Sequence, residues 1–450
     1  MFTRSVAVIG TGYVGLTTGA CLASLGHQVV CADRDQTKVD QLRLGRVPIL
    51  EPRLPELVTE GIAAGRLRFV VDAAEAVRDA EVVYLCLPTP MGVGGVADLT
   101  IVESVLAQIR EILPAGCVVV NKSTVPVGTA ARTRDLLDRA NVAVVSNPEF
   151  LREGSAVHDF LNPDRIVVGS DQQDAAERVA ALYARLGAPA VLTDAASAEL
   201  VKYAANCFLA MKLSYVNAIA ELCERLGANV RDVTEGMGYD RRIGQAFLSP
   251  GPGWGGSCLP KDVHALLQVS DGADFEFRLL RATIDTNNRQ FQRIVDKIRV
   301  AITGSRQGSL RNVRIGLLGL TFKAGTDDLR DSPALAVAAL LRQAGADLIG
   351  YDPALVAGRV QPELAGITVV NDAVTAAEGA AALVVLTEWP EFRGLDWSRL
   401  ADVVERAIVV DTRNLLDADV AARAGFTYHG LGTRPYNAKN GKPVSLAVLP

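Results

Sequence analysis

Residues 249–262, SPGPGWGGSCLPKD, combine a nucleophile with a loop suited to present it. Four glycines and two prolines precede Cys258 and indicate a structured loop whose backbone N–H groups can approach a reacting oxygen or a phosphate. Cys258 stands before a predicted helix, where a thiolate is favoured, and Lys261 and Asp262 follow within one turn. A thiolate can add to an aldehyde, and hydride loss from the adduct gives a thioester that water hydrolyses. The alternative is a buried cysteine at a helix cap.

Two polar residues interrupt an apolar helical segment. Lys202 and Asn206 are four residues apart, so they share one face of the predicted helix. A lysine buried on that face needs a partner or a chemical task. The alternative is a lysine whose ammonium group reaches solvent along an apolar surface.

Further polar candidates follow strands in the first third of the chain. Glu149 and Glu153, in SNPEFLREG, come after the strand VAVVS, and Thr124, in STVPVGT, comes after CVVVNK. Open α/β sheets bind ligands outside the carboxyl ends of their strands. Each residue alone is compatible with helix capping or surface charge, but their combination with Cys258 favours an active site.

A dinucleotide-binding loop is predicted near the N-terminus. Gly10-x-Gly12-x-x-Gly15 follows the strand SVAVI and opens a helix, with Tyr13 and Val14 inside the loop. The first glycine allows the tight turn, the second lets a pyrophosphate approach the backbone, and the third permits close packing of helix on strand. The helix N-terminus offers N–H groups and a partial positive charge to the phosphates.

Asp33 ends the next strand, 18 residues after Gly15. A carboxylate there accepts hydrogen bonds from ribose hydroxyls and repels a 2′-phosphate, so the predicted cofactor is NAD rather than NADP. Arg34 and Lys38 are close enough to weaken that preference, and their alternative is solvated surface charge. The later segment GLLGLTFKAGTDD lacks the third glycine, and no dinucleotide is assigned to it.

These residues must be held by a fold in which short β-branched runs alternate with helices. The N-terminal third shows this alternation, and strands return after residue 311. Between them, AASAELVKYAANCFLAMKLSYVNAIAELCERL has helical periodicity without Gly or Pro. The predicted fold class is α/β, with two Rossmann-like, doubly wound parallel-sheet domains joined by a long central helix and a helical linker. The predicted domains are 1–195, 196–300 and 301–450.

The composition is that of an ordinary globular protein, with 49% hydrophobic residues and a net charge of −5. No basic tract predicts nucleic-acid binding, and no apolar run reaches the ~18 residues of a membrane span, so we expect a cytoplasmic protein. The apolar N-terminal segment resembles a signal peptide, but its glycines fit the nucleotide loop better. Seven cysteines without framework spacing argue against a disulfide scaffold, and the absence of a CxxC pair argues against a metal site. Six of these cysteines lie in apolar runs and are predicted to be buried, Cys258 being the exception.

Together these motifs resemble those of the UDP-glucose 6-dehydrogenases, within the nucleotide-sugar dehydrogenases. The matching segments run in the family's order over nearly the whole chain: VIGTGYVGL, LPTP, STVPVGT, NPEFLREG, KYAANCFLA, RRIGQAFLSPGPGWGGSCLPKD, GLTFKAGTDDLRDSP and DTRN. The resemblance implies an NAD-binding domain, a helical linker that forms a dimer core, and a C-terminal domain for the nucleotide sugar. It also implies oxidation of UDP-glucose at C6 to UDP-glucuronate, with two NAD consumed per sugar.

The resemblance implies that Cys258 is the nucleophile, which holds the aldehyde first as a thiohemiacetal and then as a thioester. Glu149 resembles the base that activates water against that thioester.

The first oxidation is implied to depend on a second group of residues. Lys202, Asp262 and Thr124, with an ordered water, resemble the groups that promote it. Asn206 and Lys202 would stabilise the developing oxyanion.

Ligand contacts are also implied by the resemblance. Beside the glycine loop, Asp33 and Lys38, the cofactor contacts are Thr89, Thr124, Glu153, Lys261 and Arg330. The contacts with the sugar nucleotide are Glu149, Phe150, Leu151, Arg152, Lys202, Asn206, Phe247, Leu248, Ser249, Gly251, Gly255, Lys323 and Arg413. Arg242 resembles an arginine that reaches the site from the other subunit of a homodimer.

Two positions depart from the family pattern. Trp254 stands where Phe or Tyr is usual, which is expected to preserve a stacking surface. Ser249 stands where animal members of the family carry Lys, so one phosphate contact does not carry over.

Three other functions remain open on the sequence. A dehydrogenase for GDP-mannose or UDP-N-acetylmannosamine shares the chemistry. The N-acetylmannosamine enzymes commonly have His directly before the cysteine, whereas this chain has Ser in GGSCLPKD, which resembles the UDP-glucose enzymes more. A β-hydroxyacid dehydrogenase shares the nucleotide domain, the long helix and a catalytic lysine, but it performs a single oxidation. A non-catalytic nucleotide-binding protein is disfavoured by the intact set of polar candidates.

Overall fold

The computed structural model describes residues 3–90, 92 and 97–436. The chain divides into two compact units. One comprises the described residues up to Ala205 together with His264–Phe275, and the other comprises Asn206–Val263 and the described residues from Glu276 onward.

Eight strands form the sheet of the first unit: β1 (Ser5–Ile9), β2 (Gln28–Ala32), β3 (Leu67–Val70), β4 (Val82–Leu85), β5 (Val118–Asn121), β6 (Ala143–Ser146), β7 (Ile166–Gly169) and β8 (Ala190–Thr193). Their order is β3-β2-β1-β4-β5-β6-β7-β8. The predicted parallel sheet is confirmed, with one difference: β6 and β7 meet antiparallel, through Ser146 and Gly169.

The helices of this unit are α1 (Tyr13–Ser24), α2 (Gln36–Arg43), α3 (Leu54–Ala63), α4 (Ala73–Val77), α5 (Thr100–Ile109), α6 (Thr129–Leu137), α7 (Ala156–Leu161) and α8 (Gln173–Ala181), with a 3-10 turn at Ala184–Leu186. The central strand β1 shows that both faces of the sheet are covered. Val6 and Val8 belong to one hydrophobic cluster, and Ala7 and Ile9 belong to another. Such burial on both faces explains the nearly continuous apolar strands.

The middle of the chain is helical: α9 (Ala195–Leu226), α10 (Val230–Gly238), α11 (Leu259–Gly272) and α12 (Arg278–Thr303). The predicted long helix is confirmed as α9, which has 32 residues. It ends at Gly227, whose φ of 75° lies in the left-handed region that terminates helices. The division between the two units falls within α9 and within α11.

The second unit has a six-stranded parallel sheet: β9 (Arg314–Leu318), β10 (Asp347–Tyr351), β11 (Thr368–Val370), β12 (Ala382–Val385), β13 (Ile408–Asp411) and β14 (Thr427–Gly430). The order is β11-β10-β9-β12-β13-β14. Its helices are α13 (Pro333–Gln343), α14 (Ala373–Ala377), α15 (Trp397–Val403) and α16 (Ala418–Arg423), with 3-10 turns at Pro362–Leu364 and Pro390–Gly394. Along β12, Ala382 and Val384 face one hydrophobic cluster while Leu383 and Val385 face another, so this sheet is also covered on both sides.

Two features are absent from the part of the chain that the structure describes. No helix there has both the length and the apolar character to cross a membrane. No group of three or more His, Cys, Asp or Glu side chains in that part of the chain is arranged to hold a metal ion.

Candidate functional site

The loop between β1 and α1 has the geometry of a nucleotide-binding turn. Gly10 has a φ of 94°, and a Cβ there would collide with the carbonyl oxygen of Cys86. A Cβ at Gly15 would collide with the carbonyl oxygen of Gly10, whereas one at Gly12 would meet nothing within 4 Å. Gly10 and Gly15 are therefore required by the protein's own packing, and Gly12 leaves open the space that a pyrophosphate needs. The residues present fit a dinucleotide.

The first turn of α1 is tied to the loop that follows β6. The Tyr13 hydroxyl donates to the carboxylate of Glu51 and accepts from the N–H of Gly154. Glu51 is buried and also accepts from the N–H of Val157 at 3.1 Å. The predicted cofactor loop and the predicted sugar-contacting loop of residues 150–153 thus share one hydrogen-bonded support.

Asp33 is held as a carboxylate directly after β2. Its Oδ2 accepts from the N–H and the hydroxyl of Thr11, at 3.0 and 2.6 Å, and from the ammonium of Lys38 at 2.9 Å. Its Oδ1 accepts from the N–H of Asp35 at 3.2 Å. Burial raises the pKa of Asp33, but these hydrogen bonds outweigh burial and lower the pKa to about 2. Asp33 is therefore negative at neutral pH, and the more lightly bonded Oδ1 is the oxygen suited to a ribose hydroxyl.

Glu149 and Lys202 form a buried ion pair. The ammonium nitrogen of Lys202, on α9, lies 3.0 Å from a carboxylate oxygen of Glu149, and the two side chains are 4% and 6% exposed. The N–H of Leu151 donates to the second oxygen at 2.6 Å. Burial raises the pKa of Glu149, but Lys202, the Leu151 N–H and the more distant ammonium of Lys122 together bring the pKa below its ordinary value. The lysine therefore has the charged partner that its burial requires.

Phe150, next to Glu149, packs against two cations. The guanidinium carbon of Arg165 lies 3.5 Å from the centre of its ring, and the ammonium nitrogen of Lys202 lies 5.5 Å away. Cation–π attraction thus fixes the ring beside the ion pair.

Thr124 lies in the turn after β5, and Thr89 follows the neighbouring strand β4. The hydroxyl of Thr89, which is buried, donates to the carbonyl oxygen of Thr124 at 2.9 Å. The two predicted cofactor contacts are therefore linked directly, at the carboxyl edge of adjacent strands.

Cys258 directly precedes α11, and Asp262 lies in the first turn of that helix. Asp262 is fully buried, and its oxygens accept from the amide of Asn206 at 2.6 Å and from the ammonium of Lys261 at 2.8 Å. Cys258 is partly exposed, whereas the other six cysteines are buried as predicted. The structure therefore brings Asn206, Lys261 and Asp262 together, and it places the thiol at a helix N-terminus, where a thiolate is favoured.

The glycine-rich loop before this helix is held at Gly251 by two buried amides. The Gly251 N–H donates to the side-chain oxygen of Asn217 at 2.8 Å, and its carbonyl accepts from the side-chain nitrogen of Gln290 at 2.7 Å. Arg413 packs against the same glycine, because a Cβ there would lie 3.3 Å from its guanidinium. The carbonyl of Leu386 accepts from Arg413 at 2.8 Å. The loop and this arginine, both predicted to bind the sugar nucleotide, are thus adjacent.

The loop is held a second time at Trp254. Asn287 accepts from the Trp254 N–H at 2.8 Å and donates to its carbonyl at 2.9 Å. The indole N–H donates to the hydroxyl of Ser214 at 2.8 Å, and the residue is 5% exposed. Trp254 was expected to offer a stacking surface, but its ring is instead buried as part of the loop's support. Burial of the whole ring is permitted because Ser214 satisfies the indole N–H, which needs a hydrogen-bond partner away from water.

The remaining predicted contact residues are held more locally. Phe247 has a φ of 61°, Leu248 is buried and Ser249 is exposed. Glu153 and Lys323 are partly exposed. Three arginines pair with nearby carboxylates, in Arg152–Asp159 at 2.6 Å, Arg242–Asp240 at 2.6 Å and Arg330–Asp328 at 2.7 Å.

Several buried polar residues were not singled out from the sequence: Lys122, Glu199, Ser214, Asn217, Asn287 and Gln290. A signal for four of them existed. Ser214 and Asn217, and likewise Asn287 and Gln290, are spaced i, i+3 on α9 and α12, which marks a polar stripe on a buried helix face. Lys122 has no such companion. Glu199 lies three residues before Lys202 on α9, but a glutamate on a helix is ordinarily a surface charge, so the spacing alone did not mark it.

The glycine turn, the carboxylate after β2 and the parallel sheet define a dinucleotide-binding protein of the Rossmann class. Comparison with known proteins identifies the family. Residues 4–187, 196–289 and 316–418 match the NAD binding domain, the central domain and the UDP binding domain of the UDP-glucose/GDP-mannose dehydrogenase family. The chain belongs to this family, and the prediction of an NAD-dependent nucleotide-sugar dehydrogenase is confirmed. The division of the chain into three domains at residues 195 and 300 stays a prediction.

Individual relatives agree with this assignment. The chain is 45% identical over 437 residues to a UDP-glucose 6-dehydrogenase of Rhizobium meliloti, covering 95% of this chain and 99% of the relative. It is 42% identical to a UDP-glucose 6-dehydrogenase of Bacillus subtilis, with 95% and 93% covered. Among solved structures, a UDP-glucose dehydrogenase from Pyrobaculum islandicum is similar with a TM-score of 0.85 and 35% identity, covering 96% of this chain and 98% of that one.

Replacing Asp33 tests how the chain selects its cofactor. In Asp33→Ser, loss of the carboxylate removes a ribose acceptor and the charge that repels a 2′-phosphate. We expect the Kd for NAD to rise about 10-fold, equivalent to ~1.4 kcal/mol, and NADP binding to strengthen. Equilibrium fluorescence titration with both cofactors measures this. Asp35→Asn, which retains the capping oxygen of α2, is the control, and unchanged affinities in Asp33→Ser would contradict the assignment.

Proposed function

We propose that the protein oxidises UDP-glucose at C6 to UDP-glucuronate, with two NAD consumed per sugar. The observation that carries the proposal is the similarity of the chain to the UDP-glucose 6-dehydrogenase of Rhizobium meliloti. The two are 45% identical over 95% of this chain. The ion pair of Glu149 with Lys202, and the group formed by Asn206, Lys261 and Asp262 beside Cys258, supply chemically suitable side chains for both oxidations.

In the first oxidation, C6 loses a hydride and its hydroxyl loses a proton, which leaves an aldehyde. Bound NAD supplies the hydride acceptor for each oxidation. The ammonium of Lys202 and the amide of Asn206, one helical turn apart on α9, are the donors for the charge that develops on the oxygen. Asp262 and Thr124, with an ordered water, complete the set of groups that take up the proton.

The second oxidation needs the aldehyde to be held at the site. The thiolate of Cys258 adds to C6 and forms a thiohemiacetal, in which the C–S bond is new and the oxygen takes a proton. Loss of that proton and of the second hydride leaves a thioester on Cys258. Covalent capture explains how two oxidations occur without release of the aldehyde.

Hydrolysis then regenerates the enzyme. Glu149 takes a proton from a water that attacks the thioester carbon, the C–S bond breaks, and the Cys258 sulfur leaves with the electron pair. Because the pKa of Glu149 lies below its ordinary value, its carboxylate form is present throughout the neutral range and is lost only as the pH falls through that lowered pKa.

Counting NADH per uronate tests the reaction. Wild-type protein with UDP-glucose should form two NADH per uronate, and GDP-mannose or UDP-N-acetylmannosamine should be oxidised at least ~10-fold more slowly. Cys258→Ala should abolish uronate formation while NAD still binds, with Cys117→Ala, at a buried cysteine directly before β5, as the control. One NADH per substrate, or normal turnover by Cys258→Ala, would refute the scheme.

Blocking deacylation tests the role of Glu149. In Glu149→Gln the isosteric amide cannot take the proton from water, so the thioester should accumulate. Intact-mass spectrometry after mixing with UDP-glucose and NAD should show the covalent adduct, and steady-state turnover should fall by at least ~100-fold. Absence of an adduct together with wild-type turnover would remove Glu149 from the mechanism.

We also propose that the protein is a homodimer through α9, with Arg242 contributed across the interface, and that it is cytoplasmic. Phe208, Tyr215 and Leu222 recur every seven residues on one face of α9 and are 56%, 53% and 47% exposed. The Arg242 side chain is 88% exposed, as suits a residue that serves a second subunit.

Sedimentation velocity tests the dimer. Wild-type protein should sediment at about twice the monomer mass, and Tyr215→Asp should shift it to the monomer because a charge is then buried at the centre of the apolar stripe. Leu44→Asp, at a leucine that is 70% exposed and caps the C-terminal end of α2, should leave the mass unchanged. A monomeric wild-type protein would contradict the proposal.

A further inference from the structure

Glu199 is a buried carboxylate on α9, three residues before Lys202, and it is 4% exposed. One oxygen accepts from the N–H of Gly128 at 2.6 Å. The other accepts from the N–H of Ala130 at 2.8 Å and from the hydroxyl of Ser146 at 3.0 Å. These donors lie 71, 69 and 53 residues away along the chain, so the contacts are long-range links between separate elements.

Each of the elements that meet at Glu199 carries a residue of the proposed reaction. The next turn of α9 carries Lys202. The segment that leads into α6 carries Thr124, and β6 ends three residues before Glu149. A single side chain thus joins the supports of all three residues.

Capping of α6 alone does not account for a buried carboxylate. The N-cap residue of α6 is Gly128, with a φ of 95° and no side chain to cap the helix. At an N-cap with ordinary backbone angles, a Ser or Asp would satisfy the first N–H groups at lower cost, because burial of a carboxylate opposes its charge. The positive φ of Gly128 disfavours either residue here, so the cap has to come from elsewhere in the chain. Burial indeed raises the pKa of Glu199, while the donors from Gly128, Ala130 and Ser146 act in the opposite direction. The free-energy cost of burying Glu199 is explained by the elements that its carboxylate connects, which are α9, the start of α6 and the end of β6.

We propose that Glu199 is a positioning residue, which fixes Thr124, Glu149 and Lys202 relative to one another for the oxidation and hydrolysis steps. The proposal rests on the proposed function, because it takes from it the roles of those three residues. Misplacement of reacting groups by about 1 Å costs on the order of 100-fold in rate, so loss of this link should appear in turnover.

Glu199→Gln tests the proposal, because the amide is isosteric but has one acceptor oxygen and turns an NH2 group toward backbone or hydroxyl donors. We expect kcat with UDP-glucose to fall about 10- to 100-fold, while the KM values for UDP-glucose and NAD change less than about threefold. Asp194→Asn is the matched control. It makes the same chemical change just before α9, where the carboxylate is exposed and accepts from Ser197, and kcat should stay at the wild-type value.

Comparison of the melting temperature with kcat distinguishes a positioning role from a purely structural one. A lower melting temperature with a wild-type kcat well below that temperature would show that Glu199 only stabilises the fold, and would overturn the proposal. If Glu199→Gln does not fold, the proposal is tested with Glu199→Asp and Ser146→Ala. Each of these weakens the contact between Glu199 and its donors, and each should lower kcat without raising KM. Wild-type kcat in both would overturn it. Failure of the wild-type protein to oxidise UDP-glucose is a separate result, which contradicts the proposed function itself.

Discussion

The ion pair between Lys202 and Glu149 is the constraint on which the candidate site of the first unit depends. Removing one partner from such a buried pair leaves an uncompensated charge, which costs about 3–5 kcal/mol. The pair therefore requires α9 to pack at the carboxyl end of β6, where Glu149 emerges. Once α9 is fixed there, Glu199 on the preceding turn reaches Ser146 at the end of the same strand. The placement of α9 against the end of β6, and with it the contact between Glu199 and Ser146, thus follows from one electrostatic requirement.

Each of the two sheets has an aspartate directly after its second strand, but the two aspartates differ in what they can offer a ligand. Asp33 binds Thr11 and Lys38 and keeps a lightly bonded oxygen, beside a glycine turn with open space. Asp352, after β10, is fully buried and accepts from the backbone N–H groups of Leu320 and Thr321 and from the indole of Trp389. Its other oxygen accepts from the N–H of Ala354 at 2.9 Å, much as the second oxygen of Asp33 accepts from Asp35. The difference lies in burial: the Asp33 side chain is 14% exposed, whereas Asp352 is fully buried and presents no oxygen to a ribose. The physical difference agrees with the missing third glycine of the second unit.

The sequence allowed prediction of residues whose type is unusual for their setting. Cys258 follows a glycine-rich run, and Lys202 interrupts an apolar helix, so each is conspicuous without any structure. Glu199 is not, because a glutamate on a helix is ordinarily a surface charge and its partners lie more than 50 residues away. The antiparallel contact of β6 with β7 was missed for a different reason, since strand patterning reports burial and not direction.

The glycine-rich loop illustrates why buried amides accompany a flexible sequence. Ordering a glycine costs more conformational entropy than ordering any other residue, so a loop with four of them needs compensating contacts. An amide side chain both donates and accepts, and Asn287 uses this to satisfy the N–H and the carbonyl of Trp254 together. Asn217 and Gln290 divide the same task at Gly251. Because α9 and α12 thereby fix the loop from within the protein, the glycines supply close backbone approach for a ligand without leaving the loop loose.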